Sequence, residues 1–265
     1  MKDFLLRYQR QITLEGFGME AQTKLSNANV LVIGAGGLGC PIIQYLVAAG
    51  VGTVGIVDND VISLSNLNRQ VLFGHEDIGK PKVNVVENKM KYLNDRVAIN
   101  SFHQRCDVAF ALEKFNNYDI IVDATDNFAS RYLINDACAL LNKPLVFGAV
   151  SQFEGQIAVF NVESKGLKLN YRDLFPEPPK NDEVMSCAEG GVLGVLPGII
   201  GVMQATEVIK LITGVGETLA NQIVTYNALT NEFYKVQLIA NPLTASYLPR
   251  NLEIFKQTNY EQLCS

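Results

Sequence analysis

No two of the five cysteines, Cys40, Cys106, Cys138, Cys187 and Cys264, stand in a Cys-x-x-Cys pair. That spacing marks many structural zinc sites and dithiols. An odd, sparse set without it points to free thiols in a reducing compartment, so cytoplasm is the expectation. The first residues, Met1-Lys2-Asp3-Phe4, lack the apolar core of a secretory signal. No apolar run reaches the ~20 residues of a membrane-spanning helix. The most apolar stretch, 190–205, is rich in glycine, holds Pro197 and leads into Glu207 and Lys210, so it reads as a buried helix. Charge is also scarce, at 18% of residues and a net −5. Nucleic acid and acidic membranes are therefore not expected partners. There is no internal repeat and no low-complexity linker. What remains is apolar material, 48% of 265 residues, enough to bury the core of one large domain.

The first half alternates strand and helix signals. β-Branched or apolar runs at 29–33, 53–57, 97–102, 118–122 and 145–147 read as strands. Helical spacing falls between them at 38–49, 80–93 and 128–141. This order predicts an α/β fold, with a Rossmann-like, mainly parallel sheet and helices on both faces. The second half differs. Strands are expected at 155–161, 222–226 and 232–238, with a helix over 198–213 stopped by Gly214. These strands would extend the sheet in antiparallel fashion. The stretch 169–191 is polar, contains Pro176, Pro178 and Pro179, and reads as a long crossover loop.

Gly34-Ala35-Gly36-Gly37-Leu38-Gly39 satisfies G-x-G-x-x-G between a strand and a helix. Glycines let the backbone approach a phosphate, and the helix N-terminus supplies N–H donors and positive dipole. Asp58 ends the next strand, where an acid grips a ribose hydroxyl. These features alone suit a nicotinamide-dependent oxidoreductase as well as an ATP enzyme. The residues that follow favour ATP. Asp58-Asn59-Asp60 leads to Ser63-Leu64-Ser65-Asn66-Leu67-Asn68-Arg69-Gln70, then Gly79-Lys80-Pro81-Lys82, then Asp123-Ala124-Thr125-Asp126-Asn127. A hydride-transfer site does not need this set. A triphosphate needs cations, here Arg69 and Lys82. Its magnesium needs a hard oxygen ligand, and Asp126 at the C-terminal end of a strand suits it. Any one of these charges reads equally well as a solvated loop residue. Together at strand ends they do not.

These motifs resemble the MoeB/ThiF/HesA-type adenylyltransferases of molybdopterin-synthase and thiamine biosynthesis, bacterial relatives of ubiquitin-activating enzymes. The resemblance runs from Arg7-Tyr8-Gln9-Arg10-Gln11-Ile12 to about Pro242 and includes Cys187-Ala188-Glu189-Gly190-Gly191-Val192. It implies an adenylation domain over 1–240, with a nucleotide half at 28–150, a carrier half at 151–240 and a tail at 241–265. Gly34, Gly36, Gly37, Gly39, Asp58 and Asp60 would hold the phosphates and ribose of ATP. Asn66, Arg69 and Lys82 would contact the phosphates, and Asp126 would bind Mg2+. Arg10 would reach the triphosphate of the partner subunit in a homodimer. The substrate would be a small ubiquitin-fold sulfur-carrier protein ending in Gly-Gly. Its carboxylate would attack the α-phosphate and release pyrophosphate, with no general base.

Two departures from the family pattern stand out. Many relatives bind a structural zinc through two Cys-x-x-Cys pairs. The first would fall near Asn170-Tyr171-Arg172-Asp173 and the second in 243–247, and neither holds a cysteine. No zinc is expected, and packing by Tyr247 and Leu248 is the predicted substitute. No rhodanese-like segment follows, so sulfur donation through one is not expected. Cys187 matches a family cysteine that forms covalent adducts, and also reads as a thiol packed at a loop–helix junction. Cys40 and Cys138 are expected in the core, and His75 and His103 carry no role. A catalytically silent binding module is disfavoured by retention of Arg10, Arg69, Lys82 and Asp126.

Overall fold

Short β-branched strands set the architecture. The structure is a computed structural model and describes residues 2–179 and 190–264. Two helices, α1 (Lys2–Ile12) and α2 (Gly18–Asn27), precede the alternating unit β1 (Asn29–Ile33), α3 (Gly39–Ala49), β2 (Thr53–Val57), α4 (Lys82–Leu93), β3 (Ala98–Phe102), α5 (Val108–Lys114), β4 (Ile120–Asp123), α6 (Phe128–Leu140) and β5 (Leu145–Ser151). Then come β6 (Glu154–Phe160), α7 (Tyr171–Leu174), α8 (Leu196–Thr213), β7 (Gln222–Asn227), β8 (Glu232–Gln237), α9 (Thr244–Tyr247), α10 (Leu252–Gln257) and α11 (Tyr260–Leu263).

All eight strands form one sheet, in the order β3-β2-β1-β4-β5-β6-β7-β8. The pairs from β3 to β5 are parallel. The pairs from β5 to β8 are antiparallel. The α/β class and its antiparallel extension therefore match the expectation. Strand order reverses between β1 and β4, and ligands of such sheets bind in the crevice above that point. Two apolar clusters cover the two faces. One holds Leu46 of α3, Val86 of α4 and Ile200 of α8. The other holds Phe110 of α5, Leu133 of α6 and, from the tail, Phe255 and Tyr260.

Helix α8 packs on α3, β5 and β6, and half of it is buried. It is long and apolar enough to cross a membrane, but its contacts make it a core helix. It ends at Gly214, in the left-handed region at φ 75°. Strand β5 runs further than the sequence predicts. It continues through Gly148 to Ser151, and a side chain at Gly148 would collide with Gln204 of α8. The stretch 169–191 is likewise not all loop. Its start is the short helix α7, capped by Asn170, whose side chain accepts from Arg172 N at 2.9 Å. Four residues are too few to show periodicity.

Candidate active site

The crevice between β1 and β4 is a cleft of about 1610 Å³. The sequence dictates its floor. Gly34 leaves β1 at φ +100°, and a Cβ there would sit 2.7 Å from the Ala124 carbonyl oxygen. Only glycine permits that crossing of the β1 and β4 ends. Gly36, Gly37 and Leu38 then line the cleft and lead into α3.

Asp58 closes the loop from the side. Its Oδ2 accepts from Ala35 N at 2.7 Å and its Oδ1 from Asp60 N at 2.8 Å. Burial pushes the Asp58 carboxyl above its ordinary range, against the pull of Lys82 and the two amides. Lys82 opens α4 after Pro81 and is buried. Its Nζ donates to Asp60 Oδ2 at 2.7 Å. Arg69 is held from its own turn, with Nη1 donating to Ser65 O at 3.0 Å and Asn68 Oδ1 at 3.1 Å.

Asp126 lies exposed just past β4. Beneath it, buried Asp123 accepts from Thr125 N and Oγ1 at 2.9 and 2.7 Å. Burial pushes the Asp123 carboxyl up, opposed by the charge of Arg131 and the Thr125 bonds. A stiff turn thus presents Asp126 to the cleft.

The structure brings Gly34, Gly36, Gly37, Asp58, Asp60, Arg69, Lys82 and Asp126 to one cleft. Three expected site residues do not line it. Gly39 lies beneath the loop, where a Cβ would strike Gly34 O at 2.0 Å. Asn66 folds back on its own turn, and its Oδ1 accepts from Ser63 N at 3.0 Å. Arg10 sits on α1 and does not line this cleft. Cys187 lies outside the described residues. Cys40 and Cys138 are in the core, and burial pushes the Cys40 thiol up to about 12. His103 shares a hydrogen bond with Asn59 O at 3.1 Å.

Sequence reasoning missed two polar residues of the cleft. Gln70 is buried in its wall, and its Oε1 has no partner among the described residues. Arg131 is buried with its guanidinium over Phe128 and Phe147, and its Nε is likewise unpaired. Gln70 was visible as the last residue of the Ser63–Gln70 motif, but Arg131 reads simply as one charge on a helix.

A triphosphate fits this donor set. Arg69 and Lys82 line the same cleft as the glycine loop. Magnesium fits as well, since it is bound through one or two carboxylates plus substrate phosphates. Among the described residues no three acidic, histidine or cysteine side chains gather to hold a metal by themselves.

Zinc does not fit at the position where the family resemblance would put it. Asp173 Oδ2 accepts from Asn170 N and Nδ2, both at 2.9 Å. Its Oδ1 accepts from Asn241 N at 3.0 Å and Thr244 Oγ1 at 2.9 Å. One carboxylate with four donors thus ties α7 to the segment beginning at Asn241. The sequence points only to Tyr247 and Leu248 here, and the Asp173 cross-link adds to them. Tyr247 adds an exposed bond to Glu177.

A glycine loop at the switch point, an acid on the next strand and two cations beside it define a nucleotide-binding α/β enzyme. Residues 8–246 match the ThiF family. The sulfur carrier protein adenylyltransferase of Thermus thermophilus is 48% identical over 91% of this chain and 90% of its own length. The probable adenylyltransferase/sulfurtransferase MoeZ of Mycobacterium tuberculosis is 44% identical over 99% of this chain, which spans 66% of that relative. The adenylyltransferase and sulfurtransferase MOCS3 of Culex quinquefasciatus is 42% identical over 98% of this chain, which spans 59% of it. In fold, a crystal structure of E. coli MccB with ATP superposes with a TM-score of 0.72 at 24% identity, over 85% of this chain and 68% of that one. The chain belongs to the ThiF family, and it is an adenylyltransferase.

Proposed function

We propose that this chain uses ATP to adenylate the C-terminal Gly-Gly carboxylate of a small ubiquitin-fold sulfur carrier, in the cytoplasm. The observation that carries the reading is the single cleft in which the glycine loop and Asp58 meet Arg69, Lys82 and Asp126. Residues 28–150 form the nucleotide half of the site and 151–240 the carrier half. The glycine-loop amides and the two cations hold the triphosphate and neutralise its charge. Asp126 would hold magnesium together with the phosphates, and the ion would supply further charge neutralisation. A carboxylate oxygen of the carrier attacks the α-phosphorus. The bond from that phosphorus to the bridging oxygen breaks, and pyrophosphate leaves with its electrons. No proton moves, so no base is needed. The site works by positioning and charge.

The outer edge of the sheet supports a protein substrate. Every residue of β8 is exposed, and Phe233, Tyr234 and Val236 are each more than half exposed. An unpaired apolar edge strand is a template for a protein partner. Arg10, remote from its own cleft, acts across a homodimer interface.

Incubation with ATP, Mg2+ and a Gly-Gly-ended carrier tests the reading. Mass spectrometry should show AMP added to the carrier. An unmodified carrier with intact ATP, or reduction of a nicotinamide cofactor in a parallel assay, would overturn it.

A further inference from the structure

The segment after Pro249 adds no strand to the sheet, yet it is firmly docked. Phe255 and Tyr260 are buried, with ring centroids 5.8 Å apart, in the cluster that joins α5 and α6. The Tyr260 hydroxyl donates to Asp136 Oδ2 at 2.8 Å. Arg172 grips the same carboxylate from Nε and Nη2, each at 2.7 Å. At the surface, Glu261 pairs with Arg105, in the loop before α5, at 2.7 Å. Two buried anchors and one ion pair therefore fix the segment across the ends of α5 and α6.

Between those anchors, Lys256, Thr258 and Asn259 line the same cleft as Gly34, Asp58 and Asp126. The cleft spans both faces of the sheet. One end, with the glycine loop, lies on the α4 and α8 side, where Lys82 begins α4 and a side chain on Gly37 would touch Pro197. Its other end lies on the α5 and α6 side, where Val108, Leu112 and Leu133 share the wall with Arg105, Asp107 and Arg131. An extended nucleotide with its phosphates on the glycine loop and its ribose at Asp58 would carry its flat base toward the α5 and α6 end, over Val108, Leu112 and Leu133.

We infer that the C-terminal segment Lys256–Glu261 forms the outer wall of the adenosine end of the cleft, so that the tail is part of the nucleotide site. This rests on the ATP reading above. The anchors cost no flexibility at the moment of binding, because the network that holds them is already formed.

Hydrogen–deuterium exchange on the full chain tests it, with AMP and inorganic tripolyphosphate as separate probes. AMP should slow exchange at both 34–39 and 256–261. Tripolyphosphate should slow it at 34–39 only. A second measurement uses Phe255→Ala, which removes a buried anchor outside the cleft. AMP affinity should fall fivefold or more, while tripolyphosphate affinity stays within twofold. Protection of 34–39 by AMP without protection of 256–261 overturns the inference and leaves the ATP reading standing. No protection anywhere by AMP or ATP overturns both.

Discussion

The Lys82 ammonium, buried at the start of α4, lies 2.7 Å from the carboxylate of Asp60, which is largely exposed. The cation expected to meet a phosphate is thus already paired. A triphosphate would replace that carboxylate as the partner of Lys82. Asp60→Asn should leave a buried cation short of charge compensation and cost about 1–3 kcal/mol of stability. Tripolyphosphate should then raise the melting temperature more in the variant than in the wild type, because the anion supplies what the substitution removed. Equal rises in the two proteins would show that Lys82 does not meet the phosphates.

Asp173→Ala should destabilise the chain by about 1–3 kcal/mol, since it strands the donors of Asn170, Asn241 and Thr244. Asp173→Asn keeps an acceptor and should lose less. Chelator should leave the wild-type melting temperature unchanged, and metal analysis should find less than one zinc per chain. A zinc retained through dialysis against chelator would contradict the carboxylate cross-link.

Mixing Arg10→Ala and Asp126→Ala chains should restore activity that neither has alone. Each exchanged dimer would hold one site with both residues intact. Continued inactivity after proven subunit exchange would remove Arg10 from the partner's site.

Cys187→Ala should adenylate normally, because the carrier carboxylate is the nucleophile in that step. Any covalent carrier adduct sensitive to reductant or hydroxylamine should vanish. Loss of pyrophosphate exchange in a folded variant would tie the thiol to the first step.

The alternation of strand and helix was legible because β1, β2 and β4 are buried on both faces and read as continuous apolar runs. The glycine loop was legible because its context, strand before and helix after, lies in neighbouring residues. Tertiary pairings were not. Asp60 and Lys82 stand 22 residues apart, and both read as ligands of the same phosphates. Asp173 reads as a polar replacement for a metal ligand, and only the approach of Asn241 and Thr244 reveals what it does. The burial of Phe255 and Tyr260 was equally hidden, because α10 and α11 are too short to show a periodic face.

Exchange of labelled pyrophosphate into ATP, dependent on a Gly-Gly-ended carrier, tests the central claim most directly. The wild-type chain should exchange only when the carrier and Mg2+ are both present. A carrier lacking its last glycine should support little exchange, and Asp126→Ala should abolish it while the melting temperature holds. Near-normal exchange by a folded Asp126→Ala chain, or exchange indifferent to the carrier's last residue, would contradict the account.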